Sequence, residues 1–155
     1  MTSQRAGYIL LELLICVAII VLIAAMVVSP LAKWLDAIRL QQGARELTAT
    51  LRSLHNKSLV EERRFQIIFI GNDNVGWGYD IKRADDDGIL RQKYRQWLPP
   101  GIKLTHFSFP NLIFHPTGAP SAGITIKLAN IAGHSIRITV LPATGRVKMF
   151  EEKEN

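Results

Sequence analysis

The sequence predicts an α+β fold: one long N-terminal helix, then a mainly antiparallel β domain packed on its second half. Three observations carry this. Residues 13–28 contain no charged side chain. Leu40, Ala44, Leu47, Leu51 and Leu54 recur at steps of four and three, the spacing of one helix face. From Phe65 onward, short β-branched and aromatic runs alternate with clusters rich in Gly, Asn, Asp and Pro.

The apolar run comes first. With residues 8–12 and 29–32 it is long enough to cross a hydrocarbon core about 30 Å thick at about 1.5 Å per residue. What remains, roughly residues 33–155, can build one core but not two. Cys16, the only cysteine, lies inside the run and reads as a small hydrophobe, so the rest of the chain has no disulfide. Pro30 should kink or locally open the helix, because helical periodicity resumes after it. The leucine stripe reads as a packing face. Gln42, Arg45, Arg52, Asn56 and Arg63 fall opposite it, and Gly43 counts as an interruption. A helix from about Leu10 to about Glu62 fits.

The strands follow. Phe65-Gln-Ile-Ile-Phe-Ile70 ends at the turn cluster Gly71-Asn72-Asp73-Asn74. Trp77, Tyr79 and Ile81 alternate with smaller or polar residues. After the turn Asp85-Asp86-Asp87-Gly88, Leu90, Tyr94 and Leu98 are expected on one face, with Arg91, Lys93 and Arg95 opposite. Pro99-Pro100-Gly101 stops that strand. Later segments are 112–114, 124–128 and a terminal hairpin of 135–141 with 146–150. In that hairpin Ile136, Ile138, Val140, Val147 and Met149 should face inward. Alternation then turns Arg137, Arg146 and Lys148 outward.

Nothing in the text points to catalysis. His55, His106, His115 and His134 are scattered without ligand spacing. The Asp85–Asp87 turn lacks the spacing and closing glutamate of a calcium loop. No phosphate-binding glycine loop or nucleophile motif is present. No enzyme activity, cofactor or metal is expected. The net charge of +6 comes from 19 basic and 13 acidic residues, all but Arg5 and Glu12 lying beyond the apolar run. That balance favours anionic partners or surfaces.

The first residues separate three readings of the run. A cleavable secretory signal would have a shorter apolar stretch and a small-residue site after it. A plain membrane anchor does not explain Glu12, since an ionisable group in a span costs several kcal/mol, as an order of magnitude, unless it is paired or reaches the interface. The third reading uses Gly7, then Tyr8-Ile-Leu-Leu-Glu12, then the apolar run. This text resembles the type IV prepilin signal. The resemblance implies cleavage after Gly7 by a prepilin peptidase, methylation of the new amine on Tyr8, and an assembly role for Glu12 as fifth residue of the mature chain. Cleavage would leave the amine about one helical turn from Glu12. In the family the glutamate pairs with the amine of a neighbouring subunit, although a pair within one chain would also satisfy it.

Two further stretches, Ile113-Phe-His-Pro-Thr-Gly118 and Thr144-Gly-Arg-Val-Lys148, resemble the GspH/FimT branch of minor pilins and pseudopilins. The implied organisation is a leader at 1–7, a transmembrane assembly helix at 8–32, an amphipathic continuation at 33–64 and a β-rich extracytoplasmic pilin domain at 65–155. The implied role is a minor subunit in filament initiation or assembly, in a type II secretion system or a type IV pilus. Its partners would be the prepilin peptidase, other pilins or pseudopilins, and the lipid of the cytoplasmic membrane, crossed once. The alternative is a minor pilin of a competence pilus that binds DNA. Gly145-Arg146-Val147-Lys148 resembles the Gly-Arg-x-Arg end associated with DNA capture in FimT-like pilins. Arg137, Arg146 and Lys148 would then be the contacts.

Overall fold

The computed structural model describes residues 3–152, with side chains described for residues 10–25 and 34–152. The chain divides into two compact units, Met1–Leu35 and Asp36–Asn155. Helix α1 is assigned over Ser3–Val60. The expected distortion at Pro30 falls where side chains are not described, and residues 153–155 of the charged tail lie outside the described residues.

Among the described residues eight strands follow: β1 (Phe65–Asn72), β2 (Gly76–Ala84), β3 (Leu90–Trp97), β4 (Ile102–Phe107), β5 (Asn111–Phe114), β6 (Ile124–Asn130), β7 (Ser135–Val140) and β8 (Val147–Glu152). They form two four-stranded sheets, ordered β3-β2-β1-β5 and β4-β6-β7-β8. Every pairing is antiparallel. The fold is therefore α+β, with a long N-terminal helix whose second half packs on antiparallel sheets.

The leucine stripe is the reason the helix packs there. Leu40, Ala44, Leu47, Leu51 and Leu54 are all at most 3% exposed. They share one core with Ile67, Tyr79 and Ile81 of the first sheet and Ile126, Leu128 and Ile138 of the second. Burying one leucine contributes about 1.5–3 kcal/mol. Gly43 costs the helix only about 0.5–1 kcal/mol relative to alanine, so the stripe wins and the helix continues through it. Gly43 also has a packing reason, since a Cβ there would lie 3.1 Å from Pro99 Cδ. Tyr79 reaches α1 through its hydroxyl, 3.2 Å from Thr50 Oγ1, and burial pushes that phenol up to about 12.

Three details differ from the sequence expectation. Arg63 is not on the helix: α1 ends at Val60, and the chain reverses through Glu62 at φ 51°. Strand β4 falls where no strand was expected. A register shift between Leu104 and His106 breaks its alternation, so its inward residues read as Ile102, Leu104 and Phe107 rather than a strict period of two. Leu90 and Tyr94 do not share a face. Tyr94 pairs with Ile81 and Gln92 with Lys82, leaving Lys93 as an extra residue that flips the parity below it. Strand β3 is a mostly exposed edge, and Leu98, past its end, is the buried residue.

The terminal hairpin forms as expected. Val140 pairs with Val147 and Ile138 with Met149; Ile136, Ile138, Val140 and Val147 are buried, and Met149 is partly so.

Candidate functional site

The first candidate surface lies in the N-terminal unit. Every described residue from Leu10 to Ala25 is exposed, and the large apolar side chains among them are 49–69% exposed. A helix apolar all round is the kind that lipid or other helices cover. Glu12 is the one charged group among them, and Cys16 is exposed with them. The processing residues Gly7 and Tyr8 lie outside the residues whose side chains are described. Among the described residues, no helix is long and apolar enough to cross a membrane. The described side chains stop at Ala25, so they cover only part of the run read in the sequence.

The second surface is built where the two motif stretches meet. His55, near the end of α1, stacks edge-on against Phe114 with ring centroids 5.9 Å apart. Gly118 and Gly145 close over the same imidazole. A Cβ on Gly145 would lie 2.5 Å from His55 Cδ2 and 3.0 Å from the Gly118 carbonyl oxygen; one on Gly118 would lie 2.8 Å from Leu59 Cδ2. Both glycines have left-handed backbones, at φ 63° and 78°. The glycine of Gly145-Arg146-Val147-Lys148 therefore has a packing role, and what it launches into solvent is the pair Arg146 and Lys148. Both are exposed and make no ion pair among the described residues. Arg52 of α1 donates from Nη2 to the carbonyl of Val147, the residue between them, at 3.3 Å. Sequence reasoning placed Arg52 only on an outer helix face. Nothing in the local text ties it to Val147, 95 residues away.

Arg137 lies elsewhere. It also faces outward, but it pairs with Glu152, which Lys127 Nζ reaches at 2.7 Å and Ser135 Oγ at 3.2 Å. The Lys127 hydrogen bond is the main reason the Glu152 carboxyl sits below its ordinary range. These groups line a shallow depression of about 670 Å³ with Thr105 and His106.

The acidic turn is an ion-pair hub. Asp86 pairs with Arg63, Asp87 with Arg91 at 3.0 Å, and Asp85 with Arg91 at 3.1 Å. Arg64 donates to the Gly88 carbonyl at 2.8 Å. The turn thereby fastens the segment after α1 to the β2–β3 connection. Among the described residues, no group of His, Cys, Asp or Glu could hold a metal ion. On the outer face of the first sheet, Asp80 is buried and takes a bidentate fork from Arg95 at 2.6 and 2.9 Å. That hydrogen bonding holds its carboxyl below the usual range.

No protein-family model and no curated protein matches the chain. Solved structures do. The minor pseudopilin EpsH from the type 2 secretion system of Vibrio cholerae superposes with a TM-score of 0.62 at 13% identity, covering 73% of this chain and 97% of that one. The type IV minor pilin FimU of Pseudomonas aeruginosa gives 0.58 at 17% identity, covering 76% and 92%. The fold is thus that of minor pilins and pseudopilins.

Proposed function

We propose that this chain is a minor pilin or pseudopilin: a structural subunit that helps initiate or assemble the filament of a type II secretion system or type IV pilus. One observation carries the reading. A single long helix is apolar and exposed over residues 10–25, apart from Glu12, and buries a leucine stripe on a two-sheet domain in its second half. The first half is then available to lipid before assembly and to neighbouring helices after it. In this reading the helix crosses the cytoplasmic membrane once, with Asp36–Asn155 on the outer side. A prepilin peptidase cuts after Gly7, and the amine of Tyr8 is methylated. N-terminal mass spectrometry of membrane-extracted protein tests this. The expected result is a chain beginning at methylated Tyr8. A start at Met1 in cells with an active prepilin peptidase, or a cut beyond Val28, would contradict it.

A second reading, DNA capture by a competence-type pilus, rests on Arg146 and Lys148, both exposed and without an ion pair among the described residues, on either side of Val147, whose carbonyl Arg52 also reaches. Lysine supplies charge without the planar fork of arginine, so attraction to phosphate without sequence preference is the expected mode. Residues 37–155 should bind labelled duplex at low salt. Arg146→Ala/Lys148→Ala should weaken binding about tenfold or more and flatten the salt dependence, the log–log slope falling by roughly one for each phosphate no longer neutralised. Arg137→Ala should matter less, because that guanidinium is tied to Glu152 and lies away from Arg146 and Lys148. Equal binding by wild type and the double variant removes this patch as a DNA site.

A further inference from the structure

The register of the second sheet lines up one row of side chains across all four of its strands. His106 of β4 lies opposite Lys127 of β6, Lys127 opposite Arg137 of β7, and Arg137 opposite Phe150 of β8. Ile126, Leu128, Ile136 and Ile138, which flank the row along β6 and β7, are buried, so alternation puts the row on the outer face. The row spans about 14 Å at about 4.8 Å per strand. Beside it runs a second row, Ala129, Ser135 and Glu152. The depression of about 670 Å³ lies on this face, and Ala129 and Gly133, with little or no side chain, keep part of its lining low. Phe150 is 49% exposed and outside the hydrophobic core.

The charges here are arranged as more than an anion patch. Lys127 and Arg137 share one carboxylate, Glu152, which Ser135 Oγ also reaches at 3.2 Å. An ammonium has three donors and a guanidinium five. The ion pairs with Glu152 spend few of them, so most remain for a ligand, and the trio keeps one positive charge in excess. Glu152 also braces the two long side chains, which then have less freedom to lose on binding. Its own oxygens retain lone pairs that a ligand hydroxyl can donate into.

We infer that this face binds an acidic saccharide. The acid group sits on Lys127 and Arg137, a ring hydroxyl donates to Glu152, and the C–H face of a sugar ring stacks on Phe150. The mixture of groups selects this class. A nucleic-acid backbone or an acidic peptide would use the two cations but would be repelled by Glu152. A sugar acid uses all of them: its hydroxyls both donate and accept, and its polarised C–H bonds are drawn to the electron-rich face of an aromatic ring. A row of about 14 Å accommodates a short oligosaccharide. The site is built from the second sheet alone, so it stands for a secretion-system subunit and a pilus subunit alike.

The test is calorimetric titration of the full chain in detergent micelles. The probes are trigalacturonate, its neutral methyl ester, glucose 6-phosphate and a single-stranded oligonucleotide. Binding of at least one sugar acid with a Kd of about 1 mM or tighter is expected, and the two acids tell a carboxylate ligand from a phosphate one. Neutralising the ligand as its ester, or Lys127→Ala/Arg137→Ala, should weaken binding about tenfold or more. Phe150→Ala should weaken the sugar acid severalfold and leave inorganic phosphate unchanged. Glu152→Gln is the deciding variant: it should weaken the sugar acid and strengthen the oligonucleotide. No binding of either sugar acid overturns the proposal, as does equal binding of acid and ester, which needs no variant to fold. A sugar acid bound more tightly by Glu152→Gln than by wild type reduces the face to a plain anion patch and also overturns it.

Discussion

Gly145→Ala is expected to destabilise the domain by about 2–5 kcal/mol. Two costs add. A non-glycine residue at φ 63° pays about 1–2 kcal/mol for its left-handed backbone. The new Cβ would also overlap His55 Cδ2 at 2.5 Å and crowd the Gly118 carbonyl at 3.0 Å, and overpacking of this kind costs about 1–3 kcal/mol. For a domain of this size the melting temperature should fall by about 10 °C or more. Thermal unfolding of residues 37–155, followed by circular dichroism, measures it. His55→Ala in the same chain should remove the side-chain overlap and recover part of the loss, while the backbone cost remains. A Gly145→Ala midpoint within about 2 °C of wild type would show that the junction of α1 with the two motif stretches is not tight.

Glu12→Ala is expected to leave membrane insertion intact and to cut incorporation into filaments about tenfold or more, equivalent to about 1.4 kcal/mol or more. Removing a charge makes the apolar run easier to insert. The carboxylate is the one charged group among the described residues from 10 to 25, so it is the group there that can hold a partner amine in an apolar setting. Glu12→Gln, which keeps shape and loses charge, should behave like Glu12→Ala if pairing is the cause. The readout is the amount of subunit in sheared filaments relative to membranes, in cells that make the other subunits. Equal incorporation of wild type and Glu12→Ala would remove the assembly role.

The similarity to EpsH and FimU rests on coordinates at 13–17% identity, yet much of the fold is readable from local text. The steps from Leu40 to Leu54 alone identify the buried helix face, because helical periodicity is a property of neighbours in sequence. The terminal hairpin is readable for the same reason, with alternation placing Ile136, Ile138 and Val140 inward. The readings weaken where a single residue changes parity. Lys93 and Thr105 are skipped in the ladders, and each undoes a period-two argument for the residues beyond it.

The sequence by itself determined the long helix, its apolar first half with Glu12, the buried leucine face, and the outward direction of Arg137, Arg146 and Lys148. These follow from spacing along one element, where the side-chain direction repeats every 3.6 or 2 residues. The folded chain decided which charges remain free. Glu152 reaches Arg137 through the pairing of β7 with β8, and Arg52 reaches Val147 because α1 lies against that hairpin. It also decided that Gly118 and Gly145 converge on His55. Such contacts join segments far apart in sequence, and they depend on sheet order and register, which local periodicity does not encode.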